Sequence, residues 1–341
     1  MQRCLQLAQL GAGNVAPNPM VGAVLVYEDT IIGEGYHQEY GQVHAEVNCL
    51  NSVSEENRSL VSKSTLYVSL EPCAHFGKTP PCTDLIIKMQ IPKVVIACRD
   101  SYKEVDGKGI EKLKAAGTEV VVAVLENEAK EVNRRFFTFH EKQRPYIFLK
   151  WAQSSDHKIA NADHSRVLIS NDYTNRLVHK WRSEEAAIMI GTNTALYDDP
   201  CLTNRLWTGN DPVRVVIDKE LKIPATHHLV SDGKKMIIFN TLKQEDAGNL
   251  LYRKISIENS ILQQVMASLY EMKIQSVLVE GGTRLLQSFI DEGLWDEASV
   301  ITNNTLVIKE GIASPVLKDS SITRTEPLFS DTIYYYKRIL Q

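Results

Sequence analysis

The chain is predicted to fold as α/β, in two successive domains. Three observations carry that expectation. At 341 residues it exceeds one average domain. Short apolar runs alternate with stretches whose apolar residues recur at helical spacing, and they do so in both halves. A polar stretch ending in proline, Glu141-Lys142-Gln143-Arg144-Pro145, interrupts the alternation and separates residues 1–141 from 145–341.

In the first half, Leu5 and Ala8 lie on one face of a helix that stops at Gly11. Gly11-Ala12-Gly13-Asn14-Val15-Ala16 has the outline of a dinucleotide fingerprint, but it follows a helix and runs into Pro17, whereas that motif must follow a strand. Apolar strands at 20–26 and 31–35, joined at Glu28-Asp29, form a hairpin. A helix starts at His44. Residues 65–70 form a strand with Leu66, Val68 and Leu70 on one face. Thr79-Pro80-Pro81-Cys82-Thr83-Asp84 has a capping hydroxyl, early prolines and an early acid, so it opens a helix. A strand at 93–97, a helix at 109–116 closed by Gly117 and a buried strand at 119–125 follow. A single amphipathic helix carrying Ala129, Val132 and Phe136 completes a three-layer α/β/α domain. The second half repeats the alternation without repeating the sequence. Strands are expected at 146–151, 186–190, 213–217, 236–239, 276–279 and from 297, with helices at 173–181, 261–272 and 283–290.

A net charge of -4 gives no general attraction for nucleic acid or an anionic membrane. The longest apolar run, 120–125, is far short of the ~20 residues a membrane span needs. The first residues lack a signal-peptide layout, and six irregularly spaced cysteines do not form a disulfide framework. A reduced, cytoplasmic setting is therefore expected.

The chemistry concentrates in His44-Ala45-Glu46, Pro72-Cys73 and Cys82. One imidazole and two thiols make a three-ligand zinc site that leaves a position open for water, as catalytic sites do. Cys73 follows a strand end and Cys82 falls in the first turn of a helix, whose N-terminus lowers a thiol's pKa, so both are expected as thiolates. Glu46, two residues from His44, is placed to take the water's proton and pass it to a leaving amine. Two plainer readings compete. Cys73 and Cys82 could be core cysteines, although a strand-end Glu-Pro-Cys and a Pro-Pro-Cys helix start are poor core positions. A structural zinc with His75 as fourth ligand would leave Glu46 without work. Cys4, Cys49, Cys98 and Cys201 have no ligand-like spacing.

These residues lie in a larger pattern: Pro17-Asn18-Pro19-Met20-Val21-Gly22, Gly35-Tyr36-His37, Gly41-Gln42-Val43-His44-Ala45-Glu46, and Leu70-Glu71-Pro72-Cys73-Ala74-His75-Phe76-Gly77-Lys78-Thr79-Pro80-Pro81-Cys82. The pattern closely resembles the deaminase domain of the bifunctional riboflavin-biosynthesis deaminase/reductases, a cytidine-deaminase-like fold. Most zinc nucleobase deaminases carry P-C-x-x-C; here eight residues separate the cysteines, which disfavours a nucleic-acid deaminase. The resemblance implies that Asn18, His37 and Lys78 contact an aminopyrimidine ribotide, with Asp100 nearby.

The likeness continues through Arg144-Pro145-Tyr146-Ile147-Phe148-Leu149-Lys150, Gly191-Thr192-Asn193-Thr194-Ala195-Leu196-Tyr197-Asp198-Asp199-Pro200-Cys201-Leu202-Thr203, Arg214-Val215-Val216-Ile217-Asp218 and Val279-Glu280-Gly281-Gly282. These resemble the family's reductase domain, which has a dihydrofolate-reductase-like fold and uses NADPH. The resemblance implies that Ser165, Arg182, Leu202, Arg205 and Glu280 line the ribotide pocket. It places Gln153, Val167, Thr194, Asp198 and Gly282 at the cofactor, with Lys150 and Asp198 as candidates for polarising the substrate C1′. The chain departs from the family at His157, where glycine is usual, at Val167, where tryptophan is frequent, and at Gln153, where a small residue is usual. The expected activity is zinc-dependent deamination of a pyrimidine ribotide followed by NADPH-dependent reduction of its ribosyl group. The alternatives are a deaminase with a degenerate reductase domain and a non-catalytic ligand-sensing protein. The expected partner is a small-molecule ribotide, with neither nucleic acid nor membrane; self-association into a homo-oligomer stays open.

Overall fold

The computed structural model describes residues 1–76, 80–102, 105–165 and 167–339. Two compact units make up the chain, Met1–Gln143 and Arg144–Gln341. Among the described residues no helix is long and apolar enough to cross a membrane.

The first unit runs α1 (Gln2–Gln9), β1 (Gly22–Tyr27), β2 (Thr30–Tyr36), α2 (Ala45–Asn51), β3 (Thr65–Val68), α3 (Cys82–Lys88), β4 (Lys93–Ile96), α4 (Lys108–Ala115), β5 (Glu119–Val121), α5 (Glu126–Val132) and α6 (Arg134–Lys142). Its sheet has the order β2-β1-β3-β4-β5. The expected hairpin is antiparallel, β1 also pairs antiparallel with β3, and β3, β4 and β5 are parallel. Leu66 and Val68 of β3, Ile86 of α3 and Leu113 of α4 pack into one apolar cluster. α1 and the α5–α6 pair build another with Leu5, Ala129, Val132 and Phe136. The sheet is thereby covered as a three-layer arrangement requires.

Two expectations are corrected here. The strand at 119–125 is only three residues long and half-exposed, because it lies at the sheet edge and Ala123 (φ 68°) and Leu125 (φ 59°) leave the extended region. The single helix through 129–136 is two helices meeting at Asn133. That buried amide is diverted to Met20, accepting its N–H and donating to its carbonyl, both at 2.8 Å.

The second unit runs β6 (Tyr146–Gln153), β7 (Lys158–Asn161), α7 (Asp172–Glu184), β8 (Ala187–Gly191), α8 (Thr192–Asp198), β9 (Val213–Ile217), α9 (His228–Ser231), β10 (Met236–Asn240), β11 (Glu245–Ala247), β12 (Leu250–Lys254), α10 (Ile261–Glu271), β13 (Ser276–Val279), α11 (Thr283–Asp291), β14 (Glu297–Asn303), β15 (Gly311–Ala313), β16 (Ser320–Leu328) and β17 (Asp331–Arg338). Ten strands form one sheet in the order β11-β12-β10-β9-β8-β13-β6-β14-β17-β16, and β15 pairs with β7. From β12 to β14 the pairing is parallel, and both ends finish antiparallel. Alternation along β6 splits the core: Ile147, Leu149 and Trp151 face the cluster that includes α10 and α11, and Tyr146 and Phe148 face the cluster that includes α7 and α8. By the same alternation Lys150 points to the α7–α8 side and Gln153 to the other.

Candidate active sites

Each ligand-type residue of the first unit stands where a regular element begins or ends. His44 is the N-cap of α2 with extended backbone (φ -76°, ψ 169°), and Glu46 follows in the first turn. β2 presses against this helix so closely that a Cβ on Gly35 would lie 2.2 Å from the Cys49 nitrogen and 2.7 Å from the Ala45 carbonyl oxygen. Cys73 follows β3, and Cys82 is the first residue of α3, directly after Pro81.

The three ligand atoms converge within 4.8 Å of one another. His44 Nδ1 lies 3.6 Å from Cys73 Sγ and 3.3 Å from Cys82 Sγ. A tetrahedral zinc with ordinary Zn–N and Zn–S lengths would set nitrogen and sulfur about 3.6 Å apart, so the donors fit such an ion in number, type and spacing. His75, the fourth ligand of the structural-zinc alternative, is not part of this convergence. The Cys82 N–H donates to Cys73 Sγ at 3.3 Å. With the Cys82 thiol also bonded to it and His44 beside it, Cys73 is lowered to about 4; Cys82, whose bond is to the Cys73 thiolate, is raised in turn. His44 is raised by its bond to Cys73. Glu46 is 3% exposed, and burial, reinforced by the Cys73 charge, pushes its carboxyl up.

Asn18 and His37 adjoin this cluster. His37 Nδ1 lies 3.1 Å from the Val43 carbonyl, which only accepts, so that nitrogen carries the proton. Nε2 is then free to accept from the Asn18 amide at 3.2 Å. Burial lowers His37, in keeping with this neutral tautomer, and its ring meets that of His44 edge-on at 5.4 Å. Asp100 is buried; burial holds its carboxyl up to about 7, although it accepts the Tyr102 N–H at 2.8 Å. Lys78 lies outside the described residues.

In the second unit, Lys150 on β6, Arg182 on α7 and Glu280 at the end of β13 form one buried charge cluster. Arg182 donates to both Glu280 oxygens at 2.8 Å and to the Thr203 carbonyl at 3.2 Å, and Lys150 Nζ is 3.5 Å from Glu280. Burial opposes the charge on Glu280, yet the two cations hold it down to about 2. The cations share that single carboxylate unequally. Lys150 is lowered by burial despite Glu280; Arg182, also penalised by burial, is held above its ordinary value by its two-pronged bond. Arg205 donates to Thr203 Oγ1 at 2.8 Å, and its backbone N–H donates to His179 Nδ1 at 2.8 Å. Burial, with Arg182 and Arg205 nearby, lowers His179 to about 4, so it stays neutral. Leu202 is buried in the core at a left-handed φ of 52°.

At the same end of the sheet, the Gly282 N–H donates to Thr194 Oγ1 at 2.8 Å, joining the start of α11 to the first turn of α8. Asp198 is exposed at the last position of α8, one turn beyond Thr194; the carboxylate beside Lys150 is Glu280. Ser165 is exposed and accepts from the Asn161 amide at 2.8 Å; Val167 is half-buried.

Two of the three departures prove to be partners. Gln153 Oε1 accepts from Trp151 Nε1 at 3.0 Å. Indole is only a donor, which fixes the amide: Nε2 must face His157 Nδ1 at 2.9 Å and Thr302 Oγ1 at 3.2 Å. His157 takes the left-handed conformation (φ 58°) that a glycine would otherwise supply. Sequence reasoning also gave no role to Glu71, whose carboxylate receives several backbone N–H groups beside Cys73; its place directly before Pro72-Cys73 was the only signal available.

Family models match both units: the cytidine and deoxycytidylate deaminase zinc-binding region over residues 1–98, and the RibD C-terminal domain over 145–308. The chain is 39% identical to the riboflavin biosynthesis protein RibD of Aquifex aeolicus, covering 99% of this chain and 97% of that one. It is 36% identical to RibD of Bacillus amyloliquefaciens over 96% and 93% of the two chains. Among solved structures, a diaminohydroxyphosphoribosylaminopyrimidine deaminase/5-amino-6-(5-phosphoribosylamino)uracil reductase from Thermotoga maritima is 34% identical, covers 99% of this chain and 97% of its own, and superposes with a TM-score of 0.91.

Proposed function

Because this chain belongs to the RibD family of bifunctional riboflavin-biosynthesis enzymes, a zinc-dependent deaminase followed by an NADPH-dependent reductase, we propose how its own residues divide that work. The first reaction hydrolyses the 2-amino group of 2,5-diamino-6-(5-phosphoribosylamino)pyrimidin-4-one, and the second reduces the ribosyl group of the resulting aminouracil to ribityl. Residues 1–141 carry the deaminase and 145–341 the reductase.

In the deaminase, His44, Cys73 and Cys82 would hold the zinc. Zinc held there supplies the Lewis acidity that makes water a nucleophile near neutral pH. Glu46, buried in the first turn of α2 behind His44, takes the proton of the attacking water and hands it to the departing ammonia. Asn18 and the neutral His37 orient the pyrimidine, with Lys78 and Asp100 on the ribotide. The convergence of three ligand atoms on one point, with Glu46 beside them, is the observation that carries this reading.

In the reductase, NADPH supplies the hydride. Lys150, which stands beside Glu280, polarises C1′ of the ribosyl group; Asp198, exposed at the end of α8, is not its partner and is left to the cofactor. Arg182 and Arg205 take the ribotide phosphate, for which forked guanidinium groups are well shaped, while Glu280 fixes Arg182 and Lys150. Ser165 and Leu202 border the ribotide. Thr194, Gly282 and Asp198 face the cofactor, Val167 borders it, and Gln153, committed to Trp151, His157 and Thr302, shapes its site. The departures at Gln153, Val167 and His157 do not mark a degenerate reductase: the reductase family model matches residues 145–308, and the Lys150–Glu280–Arg182 cluster is intact. All six cysteines are free, which supports a reduced cytoplasmic setting.

Metal content, ammonia release and NADPH consumption measured on one preparation test the assignment. Glu46→Ala should abolish ammonia release and leave NADPH oxidation intact when aminouracil ribotide is supplied. Loss of both in a folded variant would show that the two sites are not separate.

A further inference from the structure

Directly before Pro72 and Cys73 lies a carboxylate with no part in the chemistry described so far. Glu71 is 4% exposed. Its Oε1 accepts the N–H groups of Gly109 at 2.9 Å and Ile110 at 3.2 Å; its Oε2 accepts those of Gly107 at 3.0 Å and Asp100 at 3.3 Å. Gly107 is the N-cap of α4 and has no side chain with which to cap it; Gly109 and Ile110 belong to its first turn. Glu71 therefore caps this helix from a distant part of the chain, and the same carboxylate ties down the backbone of Asp100.

The helix also rests on the segment that presents Cys73. A Cβ at Gly109 would lie 2.1 Å from the Pro72 carbonyl oxygen, so α4 and that segment meet backbone to backbone. Asp100, anchored through its N–H to Glu71, turns its own carboxylate to the Tyr102 N–H. One side chain thus connects the ligand-bearing strand end, the start of α4 and the residue expected at the ribotide.

We propose that Glu71 is a positioning residue of the deaminase, which sets Asp100 at a fixed place relative to Cys73 so that the ribotide is held over the metal site. The proposal rests on the reading of Asp100 as a ribotide contact. The chemistry requires a carboxylate, because all four partners are donors and only an ionised carboxyl accepts on both oxygens without presenting a hydrogen. Glutamine has the same shape, but its NH2 would face two of the four N–H groups.

The test uses the full chain with Glu71→Gln, Asp100→Ala and the double variant. It measures KM and kcat for ammonia release and zinc per chain, with NADPH oxidation as the internal control. Glu71→Gln should raise KM about tenfold, the loss expected when one charge-assisted hydrogen-bond set is broken, with kcat within about threefold and zinc retained. Asp100→Ala should raise KM as well, and the double variant should be no worse than Asp100→Ala alone, because Glu71 acts through Asp100. A role confined to folding lowers the active fraction and hence kcat, leaving KM where it was; an unchanged KM in Glu71→Gln therefore overturns the proposal. So does a double variant in which the two effects multiply. If Asp100→Ala leaves KM unchanged, the reading of Asp100 fails, and this proposal with it. Should Glu71→Gln not fold, Glu71→Asp keeps the acceptor-only group on a shorter stem; it should give a smaller rise in KM at preserved kcat, and no rise overturns the proposal.

Discussion

Replacing Glu280 with glutamine removes the negative charge that Arg182 and Lys150 share while keeping its shape. The carboxylate, with its side chain 8% exposed, meets Arg182 through both oxygens at 2.8 Å and Lys150 at 3.5 Å. Burial works against its ionisation, yet the pairing lowers it from 4.5 to about 2, which corresponds to roughly 3 kcal/mol in favour of the charged form. Removing one partner of a buried ion pair costs about 3–5 kcal/mol, because the remaining charges stay desolvated. Both routes lead to a loss near 3 kcal/mol. The sign follows from the lowered pKa: the contribution is complete above about 4.5 and is lost only as pH falls through about 2, so at pH 7 all of it is at stake. All four tryptophans, Trp151, Trp181, Trp207 and Trp295, lie in the second unit, so urea unfolding followed by tryptophan fluorescence reports on that unit alone. With a denaturant slope of about 2 kcal/mol/M, the midpoint should fall by about 1.5 M. NADPH oxidation should fall with it, and ammonia release should persist. A midpoint shift below about 0.3 M would show that the two cations do not depend on this carboxylate.

Further outcomes follow from the same geometry. Chelation at neutral pH should remove about one zinc per chain and all ammonia release while sparing NADPH oxidation, read by metal analysis and the paired assays. Asp100→Asn should stabilise the first unit at pH 8 and change little at pH 4. Burial raises the folded-state carboxyl to about 7 from 3.8, so ionising it progressively costs stability as pH rises through that range; thermal unfolding by circular dichroism at the two pH values checks the sign. Gln153→Ala should cost about 1–3 kcal/mol by leaving the buried Trp151 N–H without its acceptor, and should blunt any further effect of His157→Ala. A fluorescence-monitored double-mutant cycle measures both.

The sequence alone determined those features in which chemistry and local geometry coincide. His44 and Glu46 had to share the start of one helix because only Ala45 separates them, and Pro80-Pro81 before Cys82 announced a helix beginning at that thiol. The strand-helix alternation set the layer order, and the polar break near Pro145 set the division into two units. Local propensity reached its limit at Asn133, which breaks a helix in order to bond Met20, and at the 119–121 strand, which is short because it is an edge. Other features were decided only by tertiary structure, because they depend on side chains distant in sequence reaching one point. Gln153 and His157 looked like two separate departures until Trp151 fixed the amide that joins them. Glu280 acquired its role from Lys150, on the parallel neighbouring strand β6, and from Arg182 on α7, and Glu71 from four backbone donors that lie roughly thirty to forty residues further along the chain. A residue's own chemistry can be read from its letter, but the partner that decides its charge or its hydrogen bonds is chosen by the fold.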